Sequence, residues 1–149
     1  MNILKQFLGK ITETKAVDQK PDHDILVAVC ALLVEIARID ETFNPAEMET
    51  ILTILEEKYG LSRTHADALI KEAEKELEQS VDLWQFAKVI NENYSIKKRI
   101  ELVETLWRIV FVDGKMDKYE HHLMYKLAKI LRLHHDQLIE AKLKVIHPS

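Results

Sequence analysis

The stretch LWRIVFVDGKMDKYEHHLMYKLAKIL, residues 106–131, decides the fold of this chain. Apolar residues recur at helical spacing before the Asp113-Gly114 break and again a few residues after it. A period of 3.6 residues on both sides of a Gly-containing turn predicts a helix, a tight turn and a second helix. Within the turn, Asp117 is suited to cap the second helix, and Glu120 three residues later completes a capping box.

Asp113 does not fit this architecture as easily as the capping residues do. It lies at the carboxyl end of the first helix, where the helix dipole disfavours an anion by roughly 0.3–1 kcal/mol. A carboxylate in this place needs turn amides or a bound cation as a partner. The turn is therefore a candidate cation site as well as a helix connection.

The same pattern occurs 73 residues earlier, in LLVEIARIDETFNPAEMETIL, residues 32–52. At this offset Asp40 corresponds to Asp113 and Glu47 to Glu120. This correspondence indicates an internal repeat of one helix–turn–helix unit, which constrains the architecture of the whole fold. Because two copies are too few for a solenoid, we expect two pseudosymmetric halves that share one core. The helices that end at Asp40 and Asp113 should then pack together in the centre.

Composition favours a soluble all-α domain. The 149 residues include only three Gly and three Pro, and 31% are charged against 47% hydrophobic. A net charge of −4 argues against a nucleic-acid partner. The single cysteine, Cys30, lies in an apolar run and is predicted to be a buried hydrophobe, which suits a reducing compartment. With no signal-peptide pattern at the start, we expect a cytoplasmic protein.

The periodicity predicts a compact bundle of seven to eight helices with short connections. Residues 1–21 are predicted to be an amphipathic helix and a linker, and residues 22–149 the helical domain. Gly60 is expected as the residue after a helix end, and Ser62 and Ser95 as N-caps. The domain's predicted helices run over about 24–39, 45–59, 63–80, 83–93, 96–113, 118–132 and 136–146.

The first predicted helix has two interpretations. Its apolar stripe contains Ile3, Leu4, Phe7, Leu8 and Ile11, with lysines off the stripe. Residues 2–11 could contact a membrane surface or a protein partner through this stripe. The alternative, which we favour, is that the helix folds back on the core.

The two acidic turns are the leading candidate site. They supply hard oxygen ligands that suit Ca²⁺ or Mg²⁺ better than Zn²⁺, although their spacing is not that of an EF-hand. The competing interpretation is that these side chains only cap helices. The candidate ligands are Asp40, Asn44, Glu47, Asp113, Asp117 and Glu120.

Other polar groups carry weaker signals. His121 could share a helix face with Asp117, but no zinc-ligand spacing is present and surface histidines are the simpler expectation. The first turn of one predicted helix is basic and contains Lys97, Lys98 and Arg99. We expect these side chains to be solvated, and the alternative is that they form an anion-binding site. Both tryptophans, Trp84 and Trp107, are expected in the core.

Several segments together resemble the TerB-like family, which is associated with tellurite resistance. They are LLVEIARID, VDLWQFAKVIN, LVETLWRIVFVDGKMDKYE, HHLMYKLAKIL and LIEAKLKVI, and the resemblance spans about residues 23–145. It implies an all-helical, internally pseudosymmetric fold. It also implies that Asp40, Glu47, Asp113 and Glu120 match acidic turn positions regarded as a metal-ion site. The chain departs from the family at Asp40-Glu41, where Asp-Gly is common.

The resemblance also bears on function. The chain is most similar to the uncharacterised bacterial branch of a family that has stress-response associations and no established reaction. We therefore expect a non-enzymatic binding or scaffold domain, with protein partners from a stress-response system. The alternatives are a carboxylate-dependent hydrolase that uses the acidic turns with His121, and a membrane-associated module that uses residues 2–11.

Overall fold

The computed structural model describes residues 22–38, 45–80, 82–112 and 118–148. Within these ranges the chain forms helices joined by short turns and no strand, which confirms the predicted all-α class. The predicted N-terminal helix lies outside the described residues. The described ranges contain seven helices, which are α1 His23–Ala37, α2 Pro45–Tyr59, α3 Arg63–Gln79, α4 Trp84–Asn93, α5 Ile96–Val110, α6 Lys118–Ile130 and α7 His135–Ile146.

Side-chain caps fix where three of these helices begin. The backbone N–H of His65 donates to Ser62 Oγ at 3.1 Å, and that of Lys98 donates to Ser95 Oγ at 3.2 Å. Both caps were predicted from the sequence. Asp22 does the same for α1 by accepting from the N–H of Ile25 at 3.0 Å. Each cap satisfies one of the four backbone donors that a helix start leaves without an intrahelical partner.

Left-handed residues end α2 and α6. Gly60 follows α2 with a φ of 68°, as the sequence predicts. After α6 the equivalent conformation is taken by Arg132, with a φ of 61°. There the N–H of Leu133 donates to the carbonyl of Ala128 at 2.9 Å and that of Arg132 to Lys129 at 3.0 Å. These two bonds form a Schellman motif, which turns the chain sharply into α7.

Helix α1 is the centre of the core. Of its 15 residues, 12 are buried, so it has apolar contacts on nearly every side. It packs most extensively against α3, and also against α4 and α5. The predicted contact between the two repeat-equivalent helices is confirmed, because α1 and α5 pack together and the residues expected between them are buried. These are Leu33, Ile36, Ala37, Leu106, Ile109 and Val110.

The contacts repeat the pseudosymmetry of the sequence. Helices α2 and α6 each pack against both α1 and α5. Helix α3 packs against α1, and α7 packs against α5 in the same way. Helix α4 is the exception, since it covers α1 and no described helix covers the corresponding side of α5.

Two expectations about tryptophan have different outcomes. Trp107 is fully buried as predicted, and its Nε1–H donates to the carbonyl of Leu138 at 3.1 Å. The prediction for Trp84 was wrong, because this side chain is 47% exposed. The buried stripe of α4 starts one residue earlier, at Leu83, and continues at Phe86 and Ile90. Trp84 lies off that stripe.

Helix α1 is the most apolar helix, yet it is too short to be a membrane span. None of the helices in the described ranges is long and apolar enough to cross a membrane.

Candidate functional site

Two glutamates at the start of equivalent helices are the described part of the predicted site. Glu47 is the third residue of α2 and Glu120 the third residue of α6. Their exposed fractions are only 5% and 4%. Apart from Thr105, they are the polar residues that the described ranges bury most completely. Two residues that are equivalent in the 73-residue sequence repeat are therefore buried to a similar extent in the two halves.

Burial at a helix start has a clear physical consequence for these carboxylates. Removing an ionised carboxylate from water costs several kcal/mol unless it is paired or hydrogen-bonded. Neither Glu47 nor Glu120 lacks an interaction partner. The first turn of a helix also favours a negative charge through its dipole and its free N–H groups. The two side chains are thus held at the amino ends of α2 and α6, next to the acidic turns of the sequence.

The other four predicted ligands lie outside the described residues. They are Asp40, Asn44, Asp113 and Asp117. Among the described residues no group of three or more His, Cys, Asp or Glu side chains is placed to hold a metal ion. A metal site at these turns would therefore need ligands from residues 39–44 and 113–117 in addition to the two glutamates.

His121 has surroundings that the sequence did not predict. Its ring stacks on Tyr125 with centroids 4.9 Å apart and meets the edge of Trp107 at 6.1 Å. It is half-buried rather than a surface histidine, and its Nε2 atom is enclosed without a hydrogen-bond partner among the described residues. Burial, followed by the nearby charge of Lys142, lowers the pKa of His121 below its usual value. His122, one residue later, is exposed as expected.

The basic turn at the start of α5 has a structural role. Arg99 Nη1 donates to the carbonyl of Leu131 at 2.8 Å, and Asn91 Nδ2 donates to the carbonyl of Ile130 at 2.9 Å. These bonds satisfy carbonyls that the end of α6 leaves open. For Arg99 the expectation of a solvated side chain was wrong. No local sequence pattern predicts this contact, because the two partners are 32 residues apart.

Comparison with known protein families identifies the family to which this chain belongs. The sequence profile described as "Tellurite resistance protein TerB" matches residues 26–143, which is most of the chain. The chain belongs to the TerB family. The match includes both buried glutamates and all four sequence-predicted ligands outside the described ranges. It confirms the family resemblance that the sequence segments indicated.

A solved structure supports the same fold for this TerB domain. It is the crystal structure of a protein of unknown function from Porphyromonas gingivalis W83, with a TM-score of 0.64 and 17% sequence identity. The similarity covers 86% of the TerB chain and 92% of the other protein. At this identity the likeness concerns the fold. No curated protein sequence matches the chain.

Proposed function

We propose that this TerB domain is a non-enzymatic binding domain that takes up a divalent cation, Ca²⁺ or Mg²⁺, at its two acidic turns. The observation that carries the proposal is the paired burial of Glu47 and Glu120 at equivalent positions of the two halves. A glutamate that serves only as a cap can remain in water. The burial of two carboxylates at equivalent positions of a repeat suggests that both interact with the same kind of positively charged partner.

The chemistry of the neighbouring residues fits a hard cation. Carboxylate and amide oxygens are the ligands that Ca²⁺ and Mg²⁺ prefer. In each half an Asp is followed by a buried Glu seven residues later, and an Asn or Asp lies between them. Asp40 and Asp113 each follow the last residue of α1 and of α5 by three residues, so a cation bound there would also offset the negative end of the helix dipole. Asn44 and Asp117 supply the further oxygens.

The family name suggests the setting in which such a site would act. The family is described by tellurite resistance, so we propose a stress-response role with protein partners. A bound cation would tie the turn residues to the start of α2 and α6. The domain would then present a different surface at its turns with and without the ion.

Calorimetric titration of the chelator-treated protein with Ca²⁺ and Mg²⁺ tests the proposal directly, with Mn²⁺ and Zn²⁺ as comparisons. We expect saturable binding by millimolar concentration and a raised melting temperature. Asp40→Asn and Asp113→Asn should weaken binding by removing one charged ligand each. Asp136→Asn is the matched control, because this exposed carboxylate in the first turn of α7 belongs to neither turn. Absence of binding and of any melting shift for all four ions would overturn the proposal.

A further inference from the structure

The described residues leave one side of helix α5 uncovered in its amino-terminal half. There a groove of about 430 Å³ runs between α5 and α7. Its apolar lining includes Ile96, Ile100 and Ala141, and Ile96 is 53% exposed. Its acidic lining comes from Glu101, Glu104 and Glu140. Ile96 and Ile100 lie one turn apart on α5, so they form one apolar strip along the groove, and among the described helices only α5 and α7 line it.

The equivalent side of α1 shows what such a cover looks like. At the 73-residue offset, Ile100, Glu101 and Glu104 correspond to Val27, Ala28 and Ala31. These three α1 residues are buried, and α4 packs against α1. The pseudosymmetry of the fold therefore predicts a counterpart of α4 on the α5/α7 groove.

The counterpart is present in the sequence. Residues 4–11 read LKQFLGKI, and residues 83–90, at the start of α4, read LWQFAKVI. The two segments agree at the Leu, Gln, Phe and Ile positions. Three of these positions in the second segment, Leu83, Phe86 and Ile90, are the side chains that α4 buries. Their spacing of i, i+3 and i+7 is that of one helix face.

We propose that residues 4–11 of this chain occupy the α5/α7 groove as a helix, in the way that α4 covers α1. Phe7 takes the place that Phe86 has in the first half. The offset between the two segments is 79 rather than 73, so the connection to α1 is six residues longer than the connection from α4 to α5. About ten linker residues can span up to roughly 33–36 Å, which gives the segment ample reach.

Charge also favours this occupant. The groove has three carboxylates and two lysines, Lys97 and Lys144, and Lys144 already lies 3.6 Å from Glu104. Residues 1–11 contain Lys5 and Lys10 and no acidic side chain. A basic segment with an apolar stripe therefore complements a groove whose lining has more carboxylates than lysines and includes apolar side chains. The inference is independent of the metal proposal, because it uses neither acidic turn.

Paramagnetic NMR on the chain of 149 residues tests the inference. A nitroxide on Gly9→Cys should point to solvent, since Gly9 corresponds to Lys88, which is exposed on α4. The native Cys30 is fully buried and should remain unlabelled, and the labelled wild type controls for this. We expect the methyl signals of Ile100 and Ala141 to broaden several-fold more than those of Val27 and Ala28.

Variants on both sides of the contact make the result specific. Phe7→Glu should abolish the selective broadening, and Ile96→Glu should reduce it without unfolding the domain, because Ile96 is exposed. Leu143→Glu is the matched control, since Leu143 is 50% exposed and lies outside the groove lining. A thermal melt of each variant verifies that it is folded.

Three results would overturn the inference. The first is broadening that is absent or equal at the two sets of methyl groups. The second is broadening that reaches Ile100 only from a labelled molecule to an unlabelled one, which would make a second copy the occupant. The third is co-sedimentation of the unlabelled full chain with phosphatidylserine vesicles that is lost in Phe7→Glu and unchanged in Ile96→Glu, which would assign the segment to membranes.

Discussion

Glu47 and Glu120 are equivalent residues of two halves, and both carboxylates are withdrawn from water at the start of a helix. Sequence repeats usually preserve apolar positions, because these form the core. Here the repeat also preserves a buried carboxyl group, whose desolvation is unfavourable and must be offset by its partners. Whether those partners include a cation can be decided by stability measurements.

Glu47→Gln and Glu120→Gln separate a capping role from a ligand role. A lost cap should lower the free energy of unfolding by about 0.5–2 kcal/mol, with or without metal. A lost ligand should lower it by more as Ca²⁺ is added, since an ion at 100 times its dissociation constant stabilises the native state by about 2.7 kcal/mol. We expect the second result from urea denaturation in chelator and in millimolar Ca²⁺. Losses that are the same in both buffers would leave the two residues as caps alone.

The pairing of α1 with α5 predicts a large effect of truncation in the centre. Ile109→Ala should lower the free energy of unfolding by about 2–5 kcal/mol, because it removes buried methyl groups and leaves a cavity. Ile36→Ala should have a similar effect from the other half, since both residues are fully buried. Leu143→Ala is the control and should change stability by less than about 0.5 kcal/mol. Chemical denaturation measures all three, and a surface-like loss at Ile109 would contradict a shared core.

Most of the fold could be predicted from the sequence, because it depends on local signals. The cap residues Ser62 and Ser95 and the stop at Gly60 act within a few residues of their own position. The predicted span of α2 agrees with the structure at both ends. Trp84 was misplaced because one step along a helix turns a side chain by about 100°, so an apolar residue next to the stripe looks like part of it.

The candidate site was less predictable, for a physical reason. The repeat offset in the sequence indicated Glu47 and Glu120 as candidate site residues. Their burial distinguishes them from the exposed carboxylates of the chain. The surroundings of His121 and the bond from Arg99 to Leu131 depend on how α5, α6 and α7 pack. Contacts between residues far apart in the chain follow no spacing rule that a single sequence reveals.

The two helix ends at Gly60 and Arg132 should respond oppositely to substitution. A left-handed conformation costs an L-residue roughly 1–2 kcal/mol, whereas glycine adopts it readily. Gly60→Ala should therefore destabilise the protein. A Cβ at this position would meet no atom within 4 Å, so the loss would measure conformational strain rather than a clash. Arg132→Gly should relieve the corresponding strain after α6, partly offset by the greater flexibility of glycine in the unfolded chain. Thermal melts test both, and a stabilising Gly60→Ala would contradict the argument.

Cys30 should be inert in the native protein. Burial raises the pKa of its thiol from 9.0 to about 12, so almost no thiolate forms at neutral pH. Reaction with an aromatic disulfide reagent should be slow in buffer and fast in denaturant. Because the native state holds this proton more tightly than the unfolded chain, the thiol favours folding below pH 9 and its contribution is lost between pH 9 and about 12. Cys30→Ala should flatten that part of the pH–stability curve. Rapid labelling of the native thiol would contradict its burial.

His121 should make the native state sensitive to acid. Burial and the charge of Lys142 lower its pKa below the usual 6.5, so the unfolded chain binds this proton more tightly than the native protein does. The stability that neutral His121 provides is therefore present above pH 6.5 and is lost as the pH falls through the lowered pKa. His121→Phe keeps an aromatic ring between Trp107 and Tyr125 and removes the titration.

Urea midpoints measured from pH 7 to pH 5 in the presence of chelator test this prediction. Wild type should lose more stability over this interval than His121→Phe, and Lys142→Gln should lose an intermediate amount because the repelling charge is gone. His122→Gln is the matched control on the neighbouring, exposed histidine and should follow wild type. If the curves of wild type and His121→Phe ran parallel, the enclosed imidazole would contribute nothing to the acid sensitivity. Any remaining slope would then come from other titratable groups, such as carboxylates whose protonation removes native ion pairs as the pH falls.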